Sequence, residues 1–179
     1  MAEAVRIAVS NPGCGVTVHA GEWAGVTDVA TAECETLANI RTAVELGVDR
    51  LGHGLQMGGN KKLLQAVREA GIHVECNPFG NMRLLDRLQD HPIREFIAAG
   101  LAVSLNCDNT LFSGTTVHHH DGGPTRQTAF MVHTLGMDWD TLLGITLASI
   151  DAGFNRTVDK EALKCRVREE YMDCVPKGT

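Results

Sequence analysis

Short apolar runs alternate with longer amphipathic stretches along this chain, and the two periods predict strands alternating with helices. Gly15 to His19 contains the β-branched run Val16-Thr17-Val18 and reads as a strand. Thr31 to Leu46 has apolar positions at Leu37, Ile40, Ala43 and Val44, close to the period of a helix, and Gly47 follows its last turn. Asp49 to His53 is a second short strand. Asn60 to Ala70 is a helix with Asn60 at its N-cap and Gly71 beyond its end. Ile72 to Cys76 and Leu101 to Cys107 are the third and fourth strands. Between them lies a helix from Pro92 to Ala99, with Pro92 in its first turn and Gly100 after it. Thr110 to Pro124 is a glycine-punctuated loop. Helices follow near Thr125 to Thr134, Asp140 to Ala152 and Lys160 to Asp173.

Four strands, each followed by a helix, imply an α/β fold with parallel pairing and right-handed crossovers. A (β/α)8 barrel needs eight such units and about 250 residues. The chain has 179 residues and about four units, so it is either a small open sheet or half of a TIM-type barrel. A single domain over residues 1–179 is expected. If it is half a barrel, both edge strands carry unpaired backbone groups and the concave face is expected to expose apolar side chains.

Composition narrows the function classes. The net charge is −6 with 16 basic residues and no basic block, which argues against nucleic acid as a main partner. No apolar run approaches the ~20 residues of a membrane span, and no signal-peptide pattern is present, so a cytoplasmic protein is expected. The six cysteines form no C-x-x-C pair and read as reduced thiols, with Cys76 and Cys107 in strands.

The chemistry gathers at predicted strand ends. His19-Ala20-Gly21-Glu22 ends the first strand, Gly52-His53-Gly54 the second, and Asn106-Cys107-Asp108-Asn109 the fourth. In parallel α/β folds the C-terminal strand ends share one mouth. An imidazole and carboxylate set of this kind suits zinc-assisted hydrolysis. His118 to His120 read as a polar loop, His73 and His133 as structural, and His91 as part of a helix start.

In order, Thr-Val-His-Ala-Gly-Glu, Gly-Val-Asp-Arg-Leu-Gly-His-Gly, the turn Pro78 to Asn81, Ser-Leu-Asn-Cys-Asp and Leu-Phe-Ser-Gly-Thr-Thr resemble the C-terminal half of the adenosine deaminase family. The likeness runs from about Val16 to Thr116 and more weakly to Asp173. It implies half of a (β/α)8 barrel, Zn2+ as cofactor, and hydrolytic removal of the C6 amine from adenosine or a related aminopurine. By resemblance, His19 and Asp108 are metal ligands and Glu22 is the acid at purine N1. His53 is the histidine that orients or deprotonates the attacking water. Asp108 also belongs to the catalytic set, and Gly21 and Asn109 contact substrate.

The chain departs from the family pattern at four places. The family's His-x-His zinc pair has no counterpart upstream of His19. Asn109 replaces an aspartate. The family's Cys-Pro-x-Ser-Asn turn reads Asn77-Pro78-Phe79-Gly80-Asn81. His118 to Gly123 stands where the family starts an acidic helix. With an incomplete ligand set, the isolated chain is expected to be weakly active or inactive, and to associate with itself or with a missing N-terminal half. The alternative is a non-catalytic relative that binds a nucleoside or a protein as an oligomer. A flavodoxin-like binding module would need a phosphate loop that the sequence lacks.

Overall fold

The alternation of periods produces four parallel strands with helices on one face. The structure is a computed structural model that describes residues 2–23, 29–108 and 123–174, with backbone alone over 29–34 and at 172. The strands are β1 (Thr17–Ala20), β2 (Arg50–His53), β3 (His73–Cys76) and β4 (Val103–Leu105). They pair in chain order, all parallel. Seven α-helices are present among the described residues: α1 (Ala2–Val9), α2 (Val29–Leu46), α3 (Lys61–Glu69), α4 (Ile93–Ala98), α5 (Pro124–His133), α6 (Trp139–Ala152) and α7 (Lys160–Cys174).

Each predicted helix forms for the reason its pattern gives. In α2, Ile40 and Ala43 are buried against the sheet. In α3, Leu63, Leu64 and Val67 form the inner face, and the Asn60 side chain accepts a hydrogen bond from the Leu63 N–H at 3.1 Å. His91 serves α4 in a related way, its Nδ1 accepting from the Ile93 N–H at 3.2 Å. α1 was not anticipated; Val5, Ala8 and Val9 pack it against the main core.

The register explains the two faces of the sheet. Val18, Leu51, Val74 and Val103 align across the four strands, and the last three are buried beneath the helices. The neighbouring row is His19, Gly52, Glu75 and Ser104. Side chains alternate along a strand, so this second row lies on the opposite, concave face. Thr17 Oγ1 donates to Glu75 Oε1 at 3.2 Å, and Arg50 Nε lies 2.8 Å from the same oxygen. The concave face is therefore polar, which corrects the expectation of exposed apolar side chains. The apolar residues of the strands all turn to the helices, leaving Thr, His, Arg, Glu and Ser for the inside.

The lower end of the sheet is closed by the chain after α6. Arg50 Nη1 donates to the Ala152 carbonyl at 3.2 Å, and its guanidinium lies 3.8 Å from the centre of the Phe154 ring. Arg156 Nη2 donates to the Pro12 carbonyl at 2.6 Å. The upper, C-terminal end remains for the site. Among the described residues no helix is long and apolar enough to cross a membrane. Cys14, Cys76, Cys107, Cys165 and Cys174 are free thiols, and burial pushes the Cys76 thiol up. Cys107 lies beyond β4, which ends at Leu105, because Asn106 turns its side chain back onto Ser104.

Candidate active site

Each predicted side chain reaches the mouth by its own local device. At the end of β1 the chain turns through Gly21, whose φ is +76° and whose missing Cβ would fall 2.5 Å from Ile40 Cδ1. The Gln56 N–H donates to the Gly21 carbonyl at 2.8 Å, and Gln56 Nε2 donates to that of Glu22 at 3.4 Å. These two bonds fix the backbone from which Glu22 projects.

At the end of β2, His53 adopts φ 71°, alone among the described non-glycine residues. The Gly54 N–H donates to the Gly52 carbonyl across it at 3.1 Å, as in the rarer positive-φ form of the γ-turn. Such a conformation costs about 1–3 kcal/mol and persists where surrounding structure imposes it. Here the Gly54 N–H also donates to the Ala20 carbonyl at 3.0 Å, so the turn is tied to β1. The result is an imidazole 1% exposed, lying under the mouth.

At the end of β4, the Asn106 N–H still donates to the Cys76 carbonyl at 2.8 Å, and its carbonyl accepts from Gln127 Nε2 of α5 at 3.1 Å. Asp108 follows two residues later. It lies against Gly80, whose missing Cβ would fall 2.6 Å from Asp108 Cβ and 2.8 Å from its Oδ2. A larger residue at position 80 would take the space that this carboxylate occupies.

The three side chains converge. One ligand atom each from Glu22, His53 and Asp108 lie within 4.8 Å of one another. Glu22 Oε2 is 3.7 Å from His53 Nε2. The His19 ring is exposed, and its centre is 4.9 Å from that of His53. His19 thus joins the same mouth, though it is not one of the three converging groups. An imidazole and two carboxylates at one buried-to-half-buried spot are donors that zinc or a similar divalent ion accepts. Asn109 and His118 to His120 lie outside the described residues.

Asn77 and Asn81 were missed as members of this site. Asn81 Nδ2 is 3.0 Å and Asn77 Nδ2 3.4 Å from His53 Nδ1, and both side chains are buried. The available signal was two amides four residues apart about a proline, directly after β3. His91, also buried near His53, is lowered to about 4, by burial first and then by the neighbouring His53.

The family model for adenosine deaminase matches residues 2–170 of the chain. The chain belongs to the adenosine deaminase family. An adenine deaminase of Mesorhizobium japonicum is 31% identical over 157 residues, covering 87% of this chain and 43% of that protein. An adenosine deaminase of Enterococcus faecalis is 26% identical over 159 residues, covering 88% and 42%. Among solved structures, an adenine deaminase from Arthrobacter aurescens superimposes with a TM-score of 0.76 at 24% identity, over 96% of this chain and 47% of that one. An amidohydrolase from Burkhoderia ambifaria with bound zinc gives a TM-score of 0.74 at 26% identity, over 96% and 44%. The chain thus spans less than half the length of these adenosine deaminase relatives. Its four βα units correspond to about half of their TIM-type barrel.

Proposed function

We propose that this chain forms the C-terminal half of a zinc-dependent deaminase acting on adenine, adenosine or a related aminopurine. The observation that carries the reading is the convergence of Glu22, His53 and Asp108 at the C-terminal ends of β1, β2 and β4, with His19 beside His53. Matching proteins are adenine and adenosine deaminases, and other solved relatives are described as N6-methyl-AMP deaminases or as complexes with IMP. These names support an aminopurine as the substrate class, with Gly21 and Asn109 proposed to contact it.

The imidazole of His19 and the carboxylate of Asp108 are donor types that zinc takes, and both lie at the mouth. They would hold zinc with further ligands from outside these 179 residues, and zinc supplies Lewis acidity that makes water nucleophilic near neutral pH. The reaction adds water at C6, breaks the C6–N bond and releases ammonia. Glu22 presents a carboxyl to the ring nitrogen that gains electron density as C6 is attacked, and delivers a proton there. His53, buried and braced, holds its ring edge toward the carboxylates and orients the water by hydrogen bonding. Asp108, wedged on Gly80, keeps a negative group where the water is aligned.

With only part of a ligand set, the chain by itself is expected to release ammonia weakly. Joined to the N-terminal half of a related enzyme that carries a His-x-His pair, it should hold about one zinc and deaminate an aminopurine. Glu22→Gln should then lower the rate roughly 100- to 10,000-fold with zinc retained. An unchanged rate in that variant would remove Glu22 from the chemistry.

A further inference from the structure

We infer that Asn77 and Asn81 are positioning residues that fix His53 in its Nε2–H tautomer, so that this ring meets the mouth as a hydrogen-bond donor and not as a metal ligand. The inference rests on the deaminase reading only in taking His53 as a site residue. The tautomer itself follows from hydrogen bonding within the chain.

Asn77 decides the direction. One of its Nδ2 hydrogens goes to the Glu75 carbonyl at 3.1 Å, which can only accept. The amide nitrogen is therefore on that side, and its second hydrogen is left for His53 Nδ1 at 3.4 Å. Nδ1 must then be an acceptor. The Asn81 amide lies 3.0 Å from the same atom, with its Oδ1 buried and without a partner among the described residues. Its direction follows from Asn77, since turning it over would set Oδ1 against a nitrogen already used as an acceptor.

The other edge of the ring gives an independent argument. A neutral imidazole carries one N–H, and with Nδ1 accepting it lies on Nε2. That atom faces Glu22 Oε2 at 3.7 Å, within the cluster that includes Asp108. A lone pair there would face two carboxylates, whereas an N–H is attracted to both. A metal ligand needs that lone pair free, and usually has its other ring nitrogen donating to an acceptor. His53 has the reverse arrangement.

The test is nitrogen NMR on the 179-residue chain with 15N-labelled histidine and a chelator present. His53 is assigned by the signal lost in His53→Gln. The expected result is a protonated Nε2 and an unprotonated Nδ1. In Asn81→Asp, which keeps the shape but turns the shorter of the two donors into an acceptor while Asn77 stays, the share of the ring protonated at Nδ1 should rise. A wild-type ring protonated at Nδ1, or an even mixture of the two forms, overturns the inference whether or not Asn81→Asp folds. So does a folded Asn81→Asp whose His53 pattern is that of wild type. None of these readings depends on ammonia release, so the deaminase proposal stands or falls separately.

Discussion

Two single residues show how closely the site depends on what is absent. Gly80 matters through its missing side chain, because Asp108 occupies the space a Cβ would need. Gly80→Ala should therefore push the carboxylate away from Glu22 and His53. Overpacking of this kind costs about 1–3 kcal/mol, to be read from the urea midpoint. If stability holds and zinc uptake by the completed enzyme is also unchanged, Asp108 does not lean on this position as described. His73 shows the opposite dependence, on a proton that cannot enter. Burial, and then the charge of Arg50, lower its pKa from 6.5 to about 4, and its Nε2 has no partner among the described residues. The folded ring is neutral while the unfolded chain binds the proton. The stability it permits is complete above pH 6.5 and is lost as pH falls through the interval down to about 4. Urea midpoints should fall over that interval, and fall less in His73→Leu. An identical pH profile in the variant would assign the loss to other groups.

At the scale of elements, the helices carry local signals and the strands' inner face does not. Asn60 caps α3, and Leu37, Ile40 and Ala43 fall on one side of α2, because caps and periods are properties of neighbouring residues. The positions of His19, Glu22, His53 and Asp108 were legible for a similar reason: strand ends of parallel units share a face. The polar concave surface was not legible as such, since it depends on which of two alternating rows turns inward. The bracing of His53 by Asn77 and Asn81 was hidden too, because it joins residues 24 and 28 positions apart. α6 offers a test of the helix argument on its own terms. Gly144 lies in its middle, exposed, with no described atom within 4 Å of where a Cβ would stand. Gly144→Ala should raise stability by about 0.5–1 kcal/mol, through lower backbone entropy in the unfolded chain. A loss in the urea midpoint would mean that the exposed face of α6 is needed bare.

At the scale of the whole molecule, the sheet corresponds to about half of the relatives' barrel, and its chemistry bears on the completion proposed above. Among the described residues β1 and β4 each pair on one side, while β2 and β3 pair on both. An open edge presents backbone donors and acceptors to any strand that matches them. The concave face adds little apolar attraction, since Thr17 hydrogen-bonds Glu75 and Arg50 forms an ion pair with it there. Completion should therefore be driven by strand pairing at the two edges and by metal ligands shared across the mouth, with His19 on β1 nearest the first of them. Hydrogen exchange can follow this directly. Adding the N-terminal half of a related deaminase should slow exchange at those β1 and β4 amides that point away from β2 and β3. The inner strands should change little. If β1 and β4 exchange equally fast with and without that half, while the half is shown to bind, then it docks elsewhere and the barrel is not closed in this way. If β1 and β4 are instead protected in the chain alone at rising concentration, a second copy fills the place of the missing strands.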